Sequence, residues 1–392
     1  MAVIENQTFD AERALYGIDG LLLKNCSFDG PADGESALKE SRNVEAQHCF
    51  FNLRYPFWHD HGITIRDCEL TDKCRAALWY SGHIVIENTQ LHGIKALREC
   101  SNVRMRGCDV VSPEFGWSVR GIEMEDCDAE SEYFMMRVTD LNFSDVQFKG
   151  KYSFQYIKNA VFDNCVLDTK DAFWHSENVT VKNSVVKGEY LAWYSDGLTL
   201  INCKIIGTQP LCYCKNLTLI NCEMVDTDLC FERLEVQAIL TSSVDSIKNP
   251  LSGWIQVTEV GEIIMDVAEA TGKVMISDVD AQTEEFQKTV SENKEFVKEF
   301  IQNEIPQIQV ASFYDTCFLR LNFVRMIGNG MEAVSYIKEK TGVYFSYGKQ
   351  NGQGGNEFLR INTACSRSVL ERSLQQLKAG ITAYEKFCVE RC

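Results

Sequence analysis

The sequence lacks three features that mark common classes of protein. No apolar run approaches the ~20 residues that a helix needs to cross a bilayer. The N-terminal residues Met-Ala-Val-Ile-Glu-Asn-Gln contain no basic region followed by an apolar core, so no secretion signal is visible. Basic residues are in deficit, with 39 Lys and Arg against 56 Asp and Glu, and a net charge of −17 disfavours nucleic acid as a ligand. We therefore expect a cytoplasmic protein that binds neither membranes nor nucleic acid.

Cysteine, in contrast, is frequent. The chain has 17 cysteines, and many of them recur at a fixed spacing rather than in the pattern of a disulfide framework. Cys212, Cys214 and Cys230 lie near one another in the sequence, but their spacing matches no familiar zinc motif. We expect free thiols that pack as small apolar groups in a reducing compartment, and no metal site.

A sequence repeat with a fixed period dominates the first two thirds of the chain. Five cysteines recur at every nineteenth position or at multiples of that spacing, and three more extend the series upstream at looser spacings. A period of this size is typical of a solenoid, in which each coil buries its apolar face against its neighbours. The cysteines of the series are Cys26, Cys49, Cys68, Cys108, Cys127, Cys165, Cys203 and Cys222.

Further columns appear when the repeats are aligned on this cysteine position. Six residues earlier, ten of eleven coils have Gly, Asn or Asp, which tolerate a left-handed turn. Apolar residues such as Ile122 and Met124 then alternate at period two, which predicts a strand with one face in the core. The pattern predicts a right-handed parallel β-helix of about eleven coils, capped after Thr241 by irregular strands.

The second strand of each coil carries the unusual side chains. Trp, Tyr, His, Arg and carboxylates recur there at corresponding positions, which suggests an exposed polar and aromatic face, although the pattern leaves open whether the tryptophans point inward. Aromatic rings pack on the apolar faces of sugars, and carboxylates accept hydrogen bonds from hydroxyls. The candidate ligand-binding residues on this strand are Lys170, Trp174, Tyr190, Tyr194 and Tyr213.

Catalysis on this face is an alternative. General acid–base chemistry needs two titratable groups close together, and neighbouring coils would supply them. The candidate catalytic residues are His175, Asp171, Glu189 and Glu232.

Six stretches of the chain resemble a known family. Residues 1–275 are similar to an uncharacterised bacterial family of pectate-lyase-like β-helix proteins, and the resemblance implies the β-helix fold without implying an activity. The stretches are GESALKE (Gly34–Glu40), RYPFWH (Arg54–His59), RAALWYS (Arg75–Ser81), DTKDAFWH (Asp168–His175), GEYLAWYS (Gly188–Ser195) and GTQPLCYC (Gly207–Cys214).

The C-terminal segment has a different character. Its net charge over residues 283–392 is +1, whereas residues 1–282 carry −18. Helical periodicity from Thr283 ends before Pro306, and short strands and further helices follow. The predicted elements after Pro306 are strands at Ile308–Val310 and Cys317–Phe323, a helix near Gly330–Lys340, strands around VYFSYGK and EFLRINTAC, and a helix over Ser368–Tyr384.

Two stretches of this segment, NKEFVKEFIQNEIPQIQV and GKQNGQGGNEFLRINTACSRSVLERSLQQL, carry a second resemblance. They are similar to the C-terminal small domain of fold-type I pyridoxal-phosphate (PLP) enzymes, nearest to cystathionine β-lyase-like aminotransferases. The resemblance implies that Arg360 in the FLRIN strand binds a substrate carboxylate. The sequence has no segment for the Schiff-base lysine, so we expect no cofactor and no PLP-dependent activity.

Together these patterns predict two domains, a β-helix over residues 1–275 and an aminotransferase-like α+β domain over residues 283–392. The leading hypothesis is that the β-helix binds a carbohydrate or another small polar ligand. One alternative is a sugar-active lyase or hydrolase. Another is a scaffold that docks a PLP enzyme through the C-terminal domain, which is also a candidate for homo-oligomer contacts.

Overall fold

The computed structural model describes residues 1–277, 279–312, 318–322, 333, 336–337, 340–341, 346–347, 358–363 and 367–391. None of the helices in these ranges is long and apolar enough to cross a membrane. The chain divides into two compact units. The first comprises Met1–Val236, Ser242–Gly253 and Val260–Lys273, and the second comprises Gln237–Thr241, Trp254–Glu259 and Val274–Cys392. The predicted domain boundaries stay a prediction.

The first unit is a parallel β-helix, as the repeat predicts. One long strand from each coil pairs in register with the long strands of the coils before and after it, so that Met105, for example, lies between Ile86 and Met124. The strands of this column are Ala2–Glu5, Asp19–Lys24, Arg42–Gln47, His61–Arg66, Gly82–Glu87, Ser101–Arg106, Arg120–Glu125, Thr139–Ser144, Lys158–Asp163, Glu177–Lys182, Asp196–Ile201 and Leu217–Val225.

A column of shorter strands forms a second face of the β-helix. Leu217–Val225 is long enough to contribute to both columns. A third face has strands only at Leu78–Trp79 and Leu97–Arg98, and it is otherwise made of turns. The shorter strands are Thr8–Phe9, Ser27–Phe28, Phe50–Phe51, Glu69–Leu70, Gln90–Leu91, Asp109–Val111, Asp128–Glu132, Gln147–Lys151, Val166–Lys170, Val185–Lys187 and Lys204–Ile206.

The predicted count of eleven coils is wrong, because the β-helix has about 14. The first coil begins at Ala2–Glu5, which pairs in parallel with the next long strand but has no cysteine of the series. The chain after Thr241 also continues as strands of the solenoid rather than as an irregular cap, since Val244–Lys248 pairs in parallel with Val260–Ile264. These coils keep buried apolar residues but lack the cysteine on which the repeats were aligned. The other late strands are Glu235–Leu240, Ser252–Val257 and Lys273–Ile276.

Stacked apolar side chains fill the interior. Ile122 and Met124 are almost fully buried, as the alternation predicts, because every second residue of a strand faces the same side. Phenylalanines from successive coils stack on each other, with ring centroids 5.2 Å apart for Phe154 and Phe173. Such stacks bury large apolar areas and add aromatic contact energy, so the core runs along the axis of the β-helix.

The cysteine column lies inside this core. Cys165 is 1% exposed, and its thiol donates to the carbonyl oxygen of Asp163 at 3.3 Å. Burial raises the pKa of this thiol to about 11, so the thiol is protonated at neutral pH. Ser184 takes the same position one coil later and accepts a hydrogen bond from the backbone N–H of Cys165 at 2.9 Å. The cysteines that the structure describes are free thiols, and those of the series are packed in the core.

Among the residues that the structure describes, the second unit contains two long helices and a small antiparallel sheet. Helix α1 (Val279–Glu304) and helix α2 (Arg367–Arg391) share a core with Leu319 and Ile361 of the sheet. The predicted strands and terminal helices are present here, whereas most of the predicted helix near Gly330–Lys340 lies outside the described residues. The strand order of the sheet is Gln309–Ser312, Phe318–Asn322, Phe358–Asn362 and Ser346–Tyr347.

Candidate functional site

One column of exposed side chains runs along the third face of the β-helix. We call it the aromatic ladder, and its members, one per coil, are Arg137, Tyr156, His175, Tyr194 and Tyr213. The imidazole of His175 is stacked between the rings of Tyr156 and Tyr194, with centroids 5.0 Å and 5.1 Å away. Tyr213 stacks on Tyr194 at 5.0 Å, and the guanidinium of Arg137 covers the far side of Tyr156 at 5.6 Å. Two of the five predicted ligand-binding residues of the β-helix and one predicted catalytic residue thus belong to a single stack.

An unusual backbone conformation positions these side chains. The φ angles of Tyr156, His175, Tyr194 and Tyr213 are 58°, 53°, 62° and 61°. Bulky residues rarely adopt this left-handed region, because it crowds the Cβ atom against the backbone. Hydrogen bonds between coils hold the conformation, such as the one from the N–H of His175 to the carbonyl oxygen of Trp193 at 3.0 Å. No sequence signal points to this conformation, since Tyr and His are not turn-forming residues.

A layer of tryptophans lies next to the ladder. Trp174 and Trp193 stack with ring centroids 5.5 Å apart and an interplanar angle of 5°. Their indole N–H groups donate to the carbonyl oxygens of Tyr190 and Gln209, at 2.7 Å and 2.9 Å. Both residues are half-buried on the outer side of the core. The tryptophans therefore point outward, and each covers one ring face of the other.

Charged residues border the tryptophan layer. The ammonium of Lys170 pairs with the carboxylate of Glu189 at 2.7 Å and lies 5.3 Å from the ring centroid of Tyr190. The hydrogen bond from Lys170 to Glu189 raises the pKa of this lysine. Asp171 lies beside this pair but is only 6% exposed. Burial raises the pKa of Asp171, while the neighbouring charge of Lys170 opposes the shift.

Glu232 lies one coil beyond the end of the ladder. Its carboxylate accepts a hydrogen bond from the hydroxyl of Tyr213 at 3.4 Å and pairs with Lys248 at 3.2 Å. Burial and the negative charge of Glu232 both raise the pKa of the Tyr213 hydroxyl. Glu232 is thus held away from His175 by the intervening tyrosines, and the four predicted catalytic residues do not form one cluster.

The stacking determines what the site can offer a ligand. Each ring face of His175 and Tyr194 is occupied by a neighbouring ring, so an apolar sugar face has no open ring to pack on along the middle of the ladder. The ring edges are open instead, with 42% of Tyr156 and 49% of Tyr194 exposed. The hydroxyls of Tyr156 and Tyr194 make no hydrogen bond to any residue that the structure describes. The ladder therefore presents a row of polar groups at intervals of one coil.

Sequence reasoning did not select two members of the ladder, Arg137 and Tyr156, as site residues. It also missed a second stack further upstream, in which the guanidinium of Arg98 lies between two tryptophan rings. The centroid distances from Arg98 are 5.2 Å to Trp79 and 4.7 Å to Trp117. The signal that could have identified both stacks is the spacing of one coil between planar side chains.

Arg360 lies in the strand Phe358–Asn362, in register with Arg320, and its predicted role in binding a carboxylate stays a prediction. A shallow concavity of about 350 Å³ lies between Asn and Asp side chains of successive coils, with Asp126 and Asn183 at its ends. No group of three or more potential metal ligands occurs within the described parts of the chain.

One comparison with known proteins identifies the family of the chain. The fold places the chain in the class of parallel β-helix proteins. Residues 2–277 match a family described as "Protein of unknown function (DUF3737)". The chain belongs to this family. No curated protein matches the sequence significantly. The family match ends at residue 277, so the resemblance of the C-terminal segment to PLP enzymes is not shown and stays a prediction.

Several solved structures are similar to the chain. The A-module of a mannuronan C-5 epimerase of Azotobacter vinelandii is 11% identical, with a TM-score of 0.29, and the match covers 69% of this chain and 87% of that one. The catalytic domain of a GH87 α-1,3-glucanase is 8% identical, with a TM-score of 0.24 and coverages of 71% and 64%. A periplasmic alginate epimerase is 8% identical, with a TM-score of 0.19 and coverages of 71% and 73%. At these scores the likeness carries no inference about function.

Proposed function

We propose that the β-helix binds a carbohydrate or a related polar ligand along the aromatic ladder. The observation that carries this proposal is the continuous stack from Arg137 to Tyr213, whose ring edges face solvent. Stacked rings lose little conformational entropy when a ligand binds, because their neighbours already hold them in place. A rigid row of hydroxyl and imidazole groups suits a ligand with many hydroxyls.

Recognition at such a row depends on hydrogen bonds rather than on stacking. The hydroxyls of Tyr156 and Tyr194 lie on either side of the His175 ring, and successive coils of a parallel β-helix are about 4.8 Å apart. An extended oligosaccharide that runs along the axis would place successive polar groups against successive coils. The neighbouring pair of Lys170 and Glu189 adds a donor and an acceptor at the border of the same face.

Removal of the two free hydroxyls tests this proposal. In a Tyr156→Phe, Tyr194→Phe double variant the rings and their stacking remain, and each lost hydrogen bond should weaken binding by about 0.5–1.5 kcal/mol, or roughly 2- to 10-fold. A glycan array would identify oligosaccharides that bind, and isothermal titration calorimetry would measure their affinities. Tyr80→Phe is the matched control, because Tyr80 is also exposed but packs against His59 outside the ladder. Equal affinities of the double variant and the control, or no binding to any saccharide, would contradict the proposal.

A sugar-active hydrolase or lyase is a second candidate, favoured by the surroundings of Asp171. Burial raises the pKa of this carboxyl, and the paired carboxylate of Glu189 lies nearby. Two carboxyl groups in unlike environments are typical of acid–base catalysis, in which the buried group donates the proton. Incubation with a bound oligosaccharide should then release new reducing ends or unsaturated products, and Asp171→Asn should abolish their release while leaving binding intact. Product formation by Asp171→Asn at the original rate would exclude this role of Asp171.

A further inference from the structure

Between Tyr80 and Tyr213, the column that contains the aromatic ladder has one position with a small side chain. Ser118 occupies it, one coil before Arg137 and one coil after Glu99. Hydrogen bonds between coils fix this register. The N–H of Glu99 donates to the carbonyl oxygen of Trp117 at 2.8 Å, and the N–H of Ser118 donates to that of Met136 at 2.9 Å. Ser118 is exposed, and its side chain is shorter than those of Glu99 and Arg137 on either side. We call the position over Ser118, between these two longer side chains, the gap.

The guanidinium of Arg137 borders this gap. One side of it covers Tyr156, but within the described residues it makes no ion pair and no side-chain hydrogen bond. Other cations on the same face are neutralised. Lys151 pairs with Glu132 at 2.9 Å, and Lys170 pairs with Glu189 at 2.7 Å.

Arg98, the other arginine near the gap, differs from Arg137 because it makes ion pairs. Arg98 lies 3.5 Å from the carboxylate of Glu99 and 3.6 Å from that of Glu114, so its charge is balanced. Its guanidinium also covers one side of the Trp117 indole. Trp117 is half-buried and precedes Ser118 in the chain, at the position that Trp174 and Trp193 take beside the ladder in later coils.

We propose that the gap over Ser118 binds one unit of an acidic saccharide, whose carboxylate pairs with the guanidinium of Arg137. A planar guanidinium can donate two parallel hydrogen bonds to a carboxylate, and this geometry distinguishes it from a simple positive charge. The inference rests on the proposed function and deepens it, because it names the class of saccharide. The net charge of −17 opposes anions elsewhere on the molecule, so an anion would bind where a cation is not already neutralised.

Titration of matched acidic and neutral saccharides tests the inference. The probes are tetrasaccharides of galacturonate, mannuronate and glucuronate, and those of galactose, mannose and glucose. Affinity is measured by calorimetry. At least one acidic tetrasaccharide should bind more tightly than its neutral counterpart, and its affinity should fall as salt concentration rises.

Three variants locate the site. Arg137→Gln should lower affinity for the acidic probe by roughly 10-fold or more, because it removes a charged hydrogen-bonding partner. Ser118→Trp fills the gap and should abolish binding although Arg137 remains. Arg75→Gln is the control, because Arg75 is an exposed arginine that lies more than one coil from the gap and makes no ion pair among the described residues. It should change affinity by less than roughly twofold, as expected for a distant surface charge. Circular dichroism and unfolding midpoints confirm that each variant is folded.

The results separate the two proposals. Acidic and neutral probes that bind equally, or binding that survives both Arg137→Gln and Ser118→Trp, would overturn the acidic site and leave the proposed carbohydrate function standing. Failure of every saccharide to bind the unaltered chain would overturn both.

Discussion

Asp60 should make the stability of the β-helix depend on pH. It is 1% exposed, and it occupies a position at which the adjoining coils have Ser41 and Ser81. One carboxyl oxygen accepts a hydrogen bond from the backbone N–H of Ser41 at 2.9 Å, while the other is buried without a partner among the described residues. Burial raises the pKa of Asp60 to about 8, and the nearby charge of Glu40 contributes in the same direction. The folded protein therefore holds this carboxyl in its protonated form at pH values where the unfolded chain has lost the proton.

The sign and size of the effect follow from proton linkage. Because the pKa is higher in the folded state, the stabilising contribution is complete below pH ~4, the usual range of an unfolded aspartate, and is lost as pH rises toward 8. The free energy of unfolding should fall by up to about 1.4 kcal/mol per pH unit, or as much as about 5 kcal/mol over this interval. Asp60→Asn keeps the acceptor for Ser41 and cannot ionise, so it should not show this loss.

Urea unfolding at pH 5, 6, 7 and 8 would measure the difference in unfolding free energy between Asp60→Asn and the unaltered chain. We expect the advantage of the variant to grow with pH at a slope close to one proton. Asp72→Asn controls for the loss of one negative charge, since Asp72 is exposed on the same part of the chain. A difference between Asp60→Asn and the unaltered chain that stays constant from pH 5 to pH 8 would refute the reasoning, because it would mean that folding does not change the protonation of Asp60.

Two further predictions concern the packing of single coils. Cys165→Ser should change the free energy of unfolding by less than about 1 kcal/mol, because Ser184 already occupies the equivalent position, where its hydroxyl accepts a hydrogen bond from the N–H of Cys165 and donates one to the carbonyl oxygen of Lys182. Cys165→Leu should lose the roughly 1–3 kcal/mol typical of overpacking in urea titrations, and a loss of that size in Cys165→Ser would contradict the prediction. Gly188→Ala should lower the free energy of unfolding by roughly 1–3 kcal/mol or more. The φ of Gly188 is 143°, and a Cβ atom there would lie 1.6 Å from the carbonyl oxygen of Thr169. An unchanged thermal unfolding midpoint would contradict this prediction, because it would show that the turn can relax.

The repeat predicts the class of fold well because one observation constrains all coils at once. The column of Cys108, Cys127 and Cys165 fixes the register of every strand that carries it, and buried apolar residues follow at period two. The coils that lack the cysteine were missed for the same reason. Val244 and Ile247, for example, are buried as in other coils, but they lie in a strand that no aligned residue marks.

The site was harder to predict because its backbone does not alternate. In a regular strand Trp174 and His175 would face opposite sides, yet both lie on the outer side of the chain. The left-handed conformations of Asp171, Phe173 and His175 break the alternation, and they also bury Asp171, which sequence reasoning placed on an exposed face. Left-handed conformations are predicted from sequence mainly at Gly, Asn and Asp, so their occurrence at aromatic residues is not predicted.

The uniform length of the central coils has a consequence for engineering. Tyr156, His175 and Tyr194 follow one another at the same spacing, and the paired strands keep the same offset. Deletion of the coil that contains His175, between equivalent positions of neighbouring coils, would place the ring of Tyr156 directly against that of Tyr194. The strands on either side of the deletion could still pair in register. Duplication of a period would lengthen the aromatic ladder by one ring, so its length could be adjusted in whole steps.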